Sequence, residues 1–198
     1  MNTQNPPSRY STVAMSLHWL IATLILLDFA LAISFAHFDP GDQLYFTWAY
    51  DAHMQVGMWV LIACVLRLGW RLMHRVPALP REMGLLSRVM AKATHAILYF
   101  FMIAVPVTGW IVLSVRKKPP ALYGEVYWPA FLGFDKLSHD TRGVLHQTML
   151  PGHIWLSYIA IGFVGAHVLA ALYHHYVRHD DVMLRMLPWT RLRGERRG

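Results

Sequence analysis

Apolar residues gather along this chain into four long runs, at 17–36, 53–73, 93–115 and 152–177, and the polar and charged residues collect between them. Each run has at least 20 residues, enough for a helix rising about 1.5 Å per residue to cross about 30 Å of hydrocarbon. The pattern predicts an all-α chain, a single membrane domain built as a four-helix bundle. Ser11 or Thr12 is placed to cap the first helix, after a short polar arm with Pro6, Pro7 and Arg9. Pro77 and Pro80 close the second, Pro106 is expected to kink the third, and Pro151 reads as a first-turn proline opening the fourth. Residues 116–150 are long for a connector. Their aromatics, Tyr123, Tyr127, Trp128, Phe131 and Phe134, predict a cap lying on the bundle surface. The first run lacks a small-residue cleavage site and is followed by three more, so it is read as a retained helix and not a signal peptide.

Composition agrees with a membrane protein: 56% of the 198 residues are hydrophobic and 15% charged, too apolar for an ordinary soluble domain. A formal charge of +7 invites a nucleic-acid reading, but the basic residues flank the apolar runs, which is the pattern that orients helices in a membrane. The loop 37–52 carries Asp39, Asp42 and Asp51 and no Lys or Arg, which marks it as translocated. Of the 18 Lys and Arg residues, five (Arg116, Lys117, Lys118, Lys136 and Arg142) fall on that side and the other 13 on the opposite one. Both termini are therefore expected in the cytoplasm, and the protein in the bacterial inner membrane. The lone Cys64 sits mid-run and is expected to pack; one thiol allows neither an intramolecular disulfide nor a covalent haem site.

The chemistry sits in the histidines. His153 and His167 are 14 residues apart on one predicted helix, almost four turns, so they share a face at heights differing by about 21 Å. An imidazole in hydrocarbon is costly unless hydrogen-bonded or bound to a metal. Depth counted from the flanking charges supplies partners. His18 lies nine residues beyond Arg9 and His167 eleven before Arg178, both toward the cytoplasmic side, whereas His53 and His153 both lie at the outer ends of their helices. Two bis-histidine sites stacked in one bundle suit a low-spin b-type haem in each, since two axial imidazoles fill the iron and leave electron transfer as its chemistry. Zinc fits less well, because no carboxylate or thiolate joins either pair. His95, three residues past Lys92, competes with His18 for the inner site. His174, one heptad after His167, would touch a haem propionate or a quinone headgroup, or else be an interfacial histidine beside His175. His146 is expected in the outer cap, and His37, His74, His139 and His179 in loops or at the interface. Asp28, inside the first run, must face the bundle interior and is expected to pair with a polar neighbour.

Four segments carry a family resemblance: Ser16-Leu17-His18-Trp19, the His53 helix ending in VLRLGWR, HAILYFFMIAVPVTGW, and GAHVLAALYHHYVRHDDVMLRMLP. From Tyr10 to Pro188 the chain resembles the bacterial cytochrome b561 proteins, and among them most the diheme superoxide:ubiquinone oxidoreductases. The resemblance implies that His18 and His167 hold an inner haem, His53 and His153 an outer one, and that His174 lies beside ubiquinone. It implies electrons passing from periplasmic superoxide through two haems to ubiquinone. Arg116 falls on an arginine of the family pattern, while Lys117 and Lys118 do not; together the three would form a positive mouth drawing in a small anion, or simply an exposed basic loop. The same unit also resembles the cytochrome b subunits that anchor hydrogenases and formate dehydrogenases, in which the outer surface docks a periplasmic redox protein.

Overall fold

The computed structural model describes residues 9–36, 43–78, 84–117, 121–123, 126–190 and 192. Four helices dominate: α1 (Thr12–Ala36), α2 (Gln43–Met73), α3 (Leu85–Val115) and α4 (His139–Tyr176). Among the described residues these four are long and apolar enough to cross a membrane. A two-stranded hairpin, β1 (Ala121–Tyr123) and β2 (Val126–Tyr127), and a 3-10 turn at Phe131–Lys136 fill the connector from α3 to α4. Successive helices pack side by side, α1 on α2, α2 on α3 and α3 on α4. His18 near the start of α1 meets His167 late in α4, and Phe29 further along α1 meets Tyr158, so α1 and α4 run in opposite directions.

Every helix begins earlier than the apolar run that announced it, by between five and 13 residues. Hydrocarbon ends where the run ends, but backbone hydrogen bonding continues into the polar zone as long as a cap is found. For α1 that cap is Ser11, whose Oγ accepts from the Ala14 N–H at 3.3 Å, while its carbonyl accepts from Met15 at 3.0 Å. For α4 it is Ser138, which accepts from Thr141 N at 3.2 Å, with Asp140 in the first turn facing the positive end of the helix dipole. Pro151 therefore lies inside α4 and does not open it. A proline removes one donor and strains one turn, and the capped residues 139–150 before it are enough to carry the helix on. His139 and His146, expected outside the helix, sit on these added turns. Pro106 likewise lies within a continuous α3.

The remainder of the connector forms the expected cap on the end of α3. Trp110 Nε1 donates to Pro129 O at 2.9 Å, and its ring meets Phe131 edge-on at 5.1 Å. Phe131 N donates to Ser114 Oγ at 2.8 Å. Arg142 ties the start of α4 to the end of α3 through Val115 O at 3.0 Å. Leu132 and Gly133 adopt positive φ, of 46° and 74°, to turn the chain there.

The buried core is small and uneven. Among the described residues it is drawn from α1, α2 and α3 together with Leu184 and Leu192 of the tail, with Cys64 fully enclosed as the sequence suggested, while α4 contributes no buried residue. Large apolar side chains such as Leu26, Leu66, Phe100, Trp155 and Leu169 are exposed, as surfaces facing lipid must be.

At the opposite end from the cap, residues 180–190 fold back over the start of α1. Arg9 is the clamp: its guanidinium donates to the carbonyls of Leu184, Leu187 and Thr190. Trp19 Nε1 adds a bond to Met186 O at 2.9 Å. Hydrogen bonds from a charged donor contribute about 1.5–3 kcal/mol. Arg9→Ala should therefore lower the thermal midpoint in detergent by several degrees and open residues 184–190 to protease, read by a melting curve and by mass spectrometry of the first cleavage products.

Candidate functional site

Two groups of imidazoles lie at two levels between the helices. At one level the rings of His53 (α2) and His153 (α4) have centres 6.2 Å apart. At the other, His167 (α4) lies 6.2 Å from His18 (α1) and 5.7 Å from His95 (α3). All five are half-buried. The separation of 14 residues along α4 keeps the two levels about 21 Å apart by helical rise. Among the described residues, no three or more His, Cys, Asp or Glu side chains are arranged to share one ion. Proximity alone does not choose between His18 and His95.

The hydrogen bonds around the His53–His153 level fix which nitrogen faces the interior. Thr108 donates its hydroxyl hydrogen to Val105 O at 2.7 Å, so toward His153 its oxygen can only accept. His153 Nδ1 lies 3.1 Å from both Thr108 Oγ1 and Val105 O, two acceptors, and must carry the hydrogen. His53 Nδ1 lies 2.9 Å from Asp28 Oδ1 and 3.3 Å from the Asp28 carbonyl, again two acceptors. The hydrogen bond goes to the carbonyl, and the carboxylate oxygen stands beside the same nitrogen as a charge contact. In the neutral form of both rings Nε2 then keeps its lone pair. His95 has the same tautomer, its Nδ1 donating to Ala91 O at 2.6 Å.

A cavity of about 290 Å³ opens around this level. Asp28, His53, Gly57, Gly109, His153 and Tyr158 are among its lining residues, and apolar side chains make up most of the remainder. Gly109 brings α3 against the His153 ring: a Cβ there would stand 3.2 Å from His153 Cε1.

The other residues singled out by the sequence divide. His174 sits in the last turn of α4, where its Nδ1 donates to Asp180 Oδ2; Asp180 also accepts from Val182 N at 3.1 Å through Oδ1. Arg116, the C-cap of α3, and Lys117 beside it are exposed at the cap end, and Lys118 lies outside the described residues. His37 lies outside them as well. His74 stacks on Trp70 at 3.7 Å, next to a basic pocket formed with Arg67, Arg71 and Arg75. Asp28 has the polar neighbour that a carboxylate in hydrocarbon requires. Thr108, Val105 O and Asp180 were not foreseen, since nothing in a sequence says which helix face meets an imidazole's second nitrogen.

The family model for prokaryotic cytochrome b561 matches residues 9–189. The chain belongs to the prokaryotic cytochrome b561 family. This cytochrome b561 is 28% identical to cytochrome b561 homolog 2 of Escherichia coli K12 over 94% of its own length and 95% of the relative's. It is 27% identical to the probable superoxide oxidase CybB of Yersinia pestis, over 92% and 98% respectively. Cytochrome b561 homolog 1 of E. coli K12 is 25% identical over 91% and 98%. The chain is thus a multi-pass bacterial membrane protein of an electron-transfer family, and membership implies a b-type haem. The residues present fit that group. A metal–imidazole bond is about 2 Å and the ring centre lies about 1 Å further on, so ring centres about 6 Å apart leave room for one metal ion that both imidazoles of a pair would hold. Second nitrogens hydrogen-bonded to carbonyl, hydroxyl or carboxylate are what ligating imidazoles need.

Gly109→Ala should push the His153 ring aside by a few tenths of an ångström and, where His153 holds a haem, alter the visible and electron paramagnetic resonance spectra of that haem. Gly162→Ala, at a position with no atom within 4 Å of the added carbon, should leave both spectra unchanged and stabilise α4 by about 0.5–1 kcal/mol.

Proposed function

We propose that this cytochrome b561 is a diheme superoxide:ubiquinone oxidoreductase, oxidising superoxide at the cap end and reducing ubiquinone at the end where the termini meet. The observation that carries the reading is the occurrence of two imidazole pairings at two heights along α4, each with ring centres 6.2 Å apart. His53 and His153 would hold the outer iron, His18 and His167 the inner one, with His95 beside the inner site. The charge distribution supports an orientation with the termini in the cytoplasm of a bacterial inner membrane.

When bound, two b-type haems supply one-electron carriers and can together store the two electrons a quinone takes up. The chain's own residues do the rest. Thr108 and the Val105 carbonyl hold the His153 tautomer and ring plane. Arg116 and Lys117, exposed at the cap end, with Lys118 next in sequence, raise the local concentration of a small anion before it reaches the His53–His153 level. At the other end Asp180 keeps the hydrogen of His174 on Nδ1, leaving Nε2 free to meet a quinone oxygen. The 27% identity to a protein described as a probable superoxide oxidase supports the choice of substrate.

His53→Ala or His153→Ala should lower the haem content of the purified protein from two per chain to one, measured by pyridine haemochrome against protein concentration. Loss of both haems or of neither would reject the pairing. Under a steady superoxide flux, without any partner protein, the haems should become reduced and pass electrons to added ubiquinone. Neutralising Arg116, Lys117 and Lys118 together should slow this at low salt and flatten its dependence on ionic strength. Haems that stay oxidised under superoxide but become reduced with a hydrogenase or dehydrogenase partner would assign the chain to the electron-transfer subunits instead.

A further inference from the structure

Asp28 is an ionisable side chain inside an apolar helix, between Leu27 and Phe29, and such a residue needs a partner and a reason. Its partner is His53, on α2, with Nδ1 at 2.9 Å from Oδ1 and 3.3 Å from the Asp28 carbonyl; both side chains are 19% exposed. The second oxygen, Oδ2, lies over Gly57, one turn beyond His53, 3.7 Å from where a Cβ would stand. The carboxylate thus points into the same cavity as His53 and His153. The two rings are not held alike: the second nitrogen of His153 meets only neutral acceptors, a carbonyl and a hydroxyl, while that of His53 meets a carboxylate.

We infer that Asp28 is a positioning residue for the outer iron: its carboxylate holds His53 by Nδ1 and would make it the more electron-donating of the two imidazoles there, lowering the reduction potential of that site. This rests on the assignment of His53 as an iron ligand. A carboxylate set against the Nδ1–H of a ligating imidazole raises the basicity of the ligating nitrogen, and a more basic ligand favours the ferric over the ferrous ion. A nearby negative charge in a medium of low dielectric acts in the same direction. Structurally, the contact also joins α1 to α2 at the depth of the cavity, so the plane of the His53 ring is set by a neighbouring helix as well as by its own. Lowering the potential at this site favours passing the electron on from it.

The test is a redox titration of the purified holoprotein, followed by absorbance, for Asp28→Asn, Asp28→Ala and Asp28→Glu. Asp28→Asn keeps size and an acceptor while removing the charge, and should raise the potential of one haem only, the one that His53→Ala removes. The expected shift is on the order of tenfold in the ferric:ferrous ratio at fixed ambient potential, about 59 mV for a one-electron couple. Asp28→Ala should shift it at least as far and change the anisotropy of the low-spin resonance signal, because the ring is freed to rotate; Asp28→Glu should recover part of the native potential. Loss of the outer haem from the Asn and Ala proteins but not from the Glu protein also supports the assignment, since the carboxylate would then be what holds His53. Two haems with unchanged potentials in both Asn and Ala proteins overturn the inference while leaving the ligand assignment standing. Loss of the haem in all three overturns it too, since packing alone would explain that. If His53→Ala retains both haems, the ligand assignment fails first.

Discussion

A pair of imidazoles carried on one apolar helix, met at each level by an imidazole from another helix, fixes the two levels around which this bundle is arranged. At each level the ring centres stand about 6 Å apart, with α4 facing α2 at one and α1 at the other. The 38-residue α4 carries both of these levels. Its inner face lines a cavity and its outer face meets lipid. The firm packing is left to α1, α2 and α3, where Met58, Val60, Ala63 and Phe101 are buried. Helices in lipid gain little from burying one apolar surface against another, so polar contacts such as Asp28–His53 and Thr108–His153 have a larger share in fixing helix rotation than they would in water.

The two ends of the bundle are finished differently. At one, aromatic rings and the Ser114 and Arg142 hydrogen bonds seat a compact cap on α3 and start α4 early. At the other, Arg9 collects three carbonyls of the returning tail, and Trp70 donates to Ser11 at 3.0 Å across α2 and α1. The His174–Asp180 contact belongs to this second end, so the tail that Arg9 holds also carries the carboxylate that orients His174.

The four spans were legible because lipid demands a long apolar run wherever a helix crosses it, and that demand leaves no room for alternatives. Helix starts were not, because outside the hydrocarbon a helix needs only a cap: the Ser138 and Thr141 pairing that begins α4 uses two ordinary polar residues, and Pro151 is a stronger signal in sequence than in structure. The two histidine levels could be read by counting from Arg9 and Arg178, since charge at the membrane boundary sets depth. Depth does not set rotation. That is why His18 and His95 remained alternatives, why both indeed lie beside His167, and why Val105 and Thr108 gave no sign of their role. Asp28 announced itself by its cost, but its partner was settled only by the way α1 and α2 turn toward each other.

Cys64, the only thiol of the 198 residues, is wholly enclosed. A sulfhydryl sealed in this way is inert toward water-borne maleimides and thiosulfonates. To such reagents the native molecule is blank. A single cysteine engineered near Lys117 or in the tail would thus be the sole reactive handle, and labelling from either face of a sealed vesicle would register the sidedness of the bundle without prior removal of any natural residue.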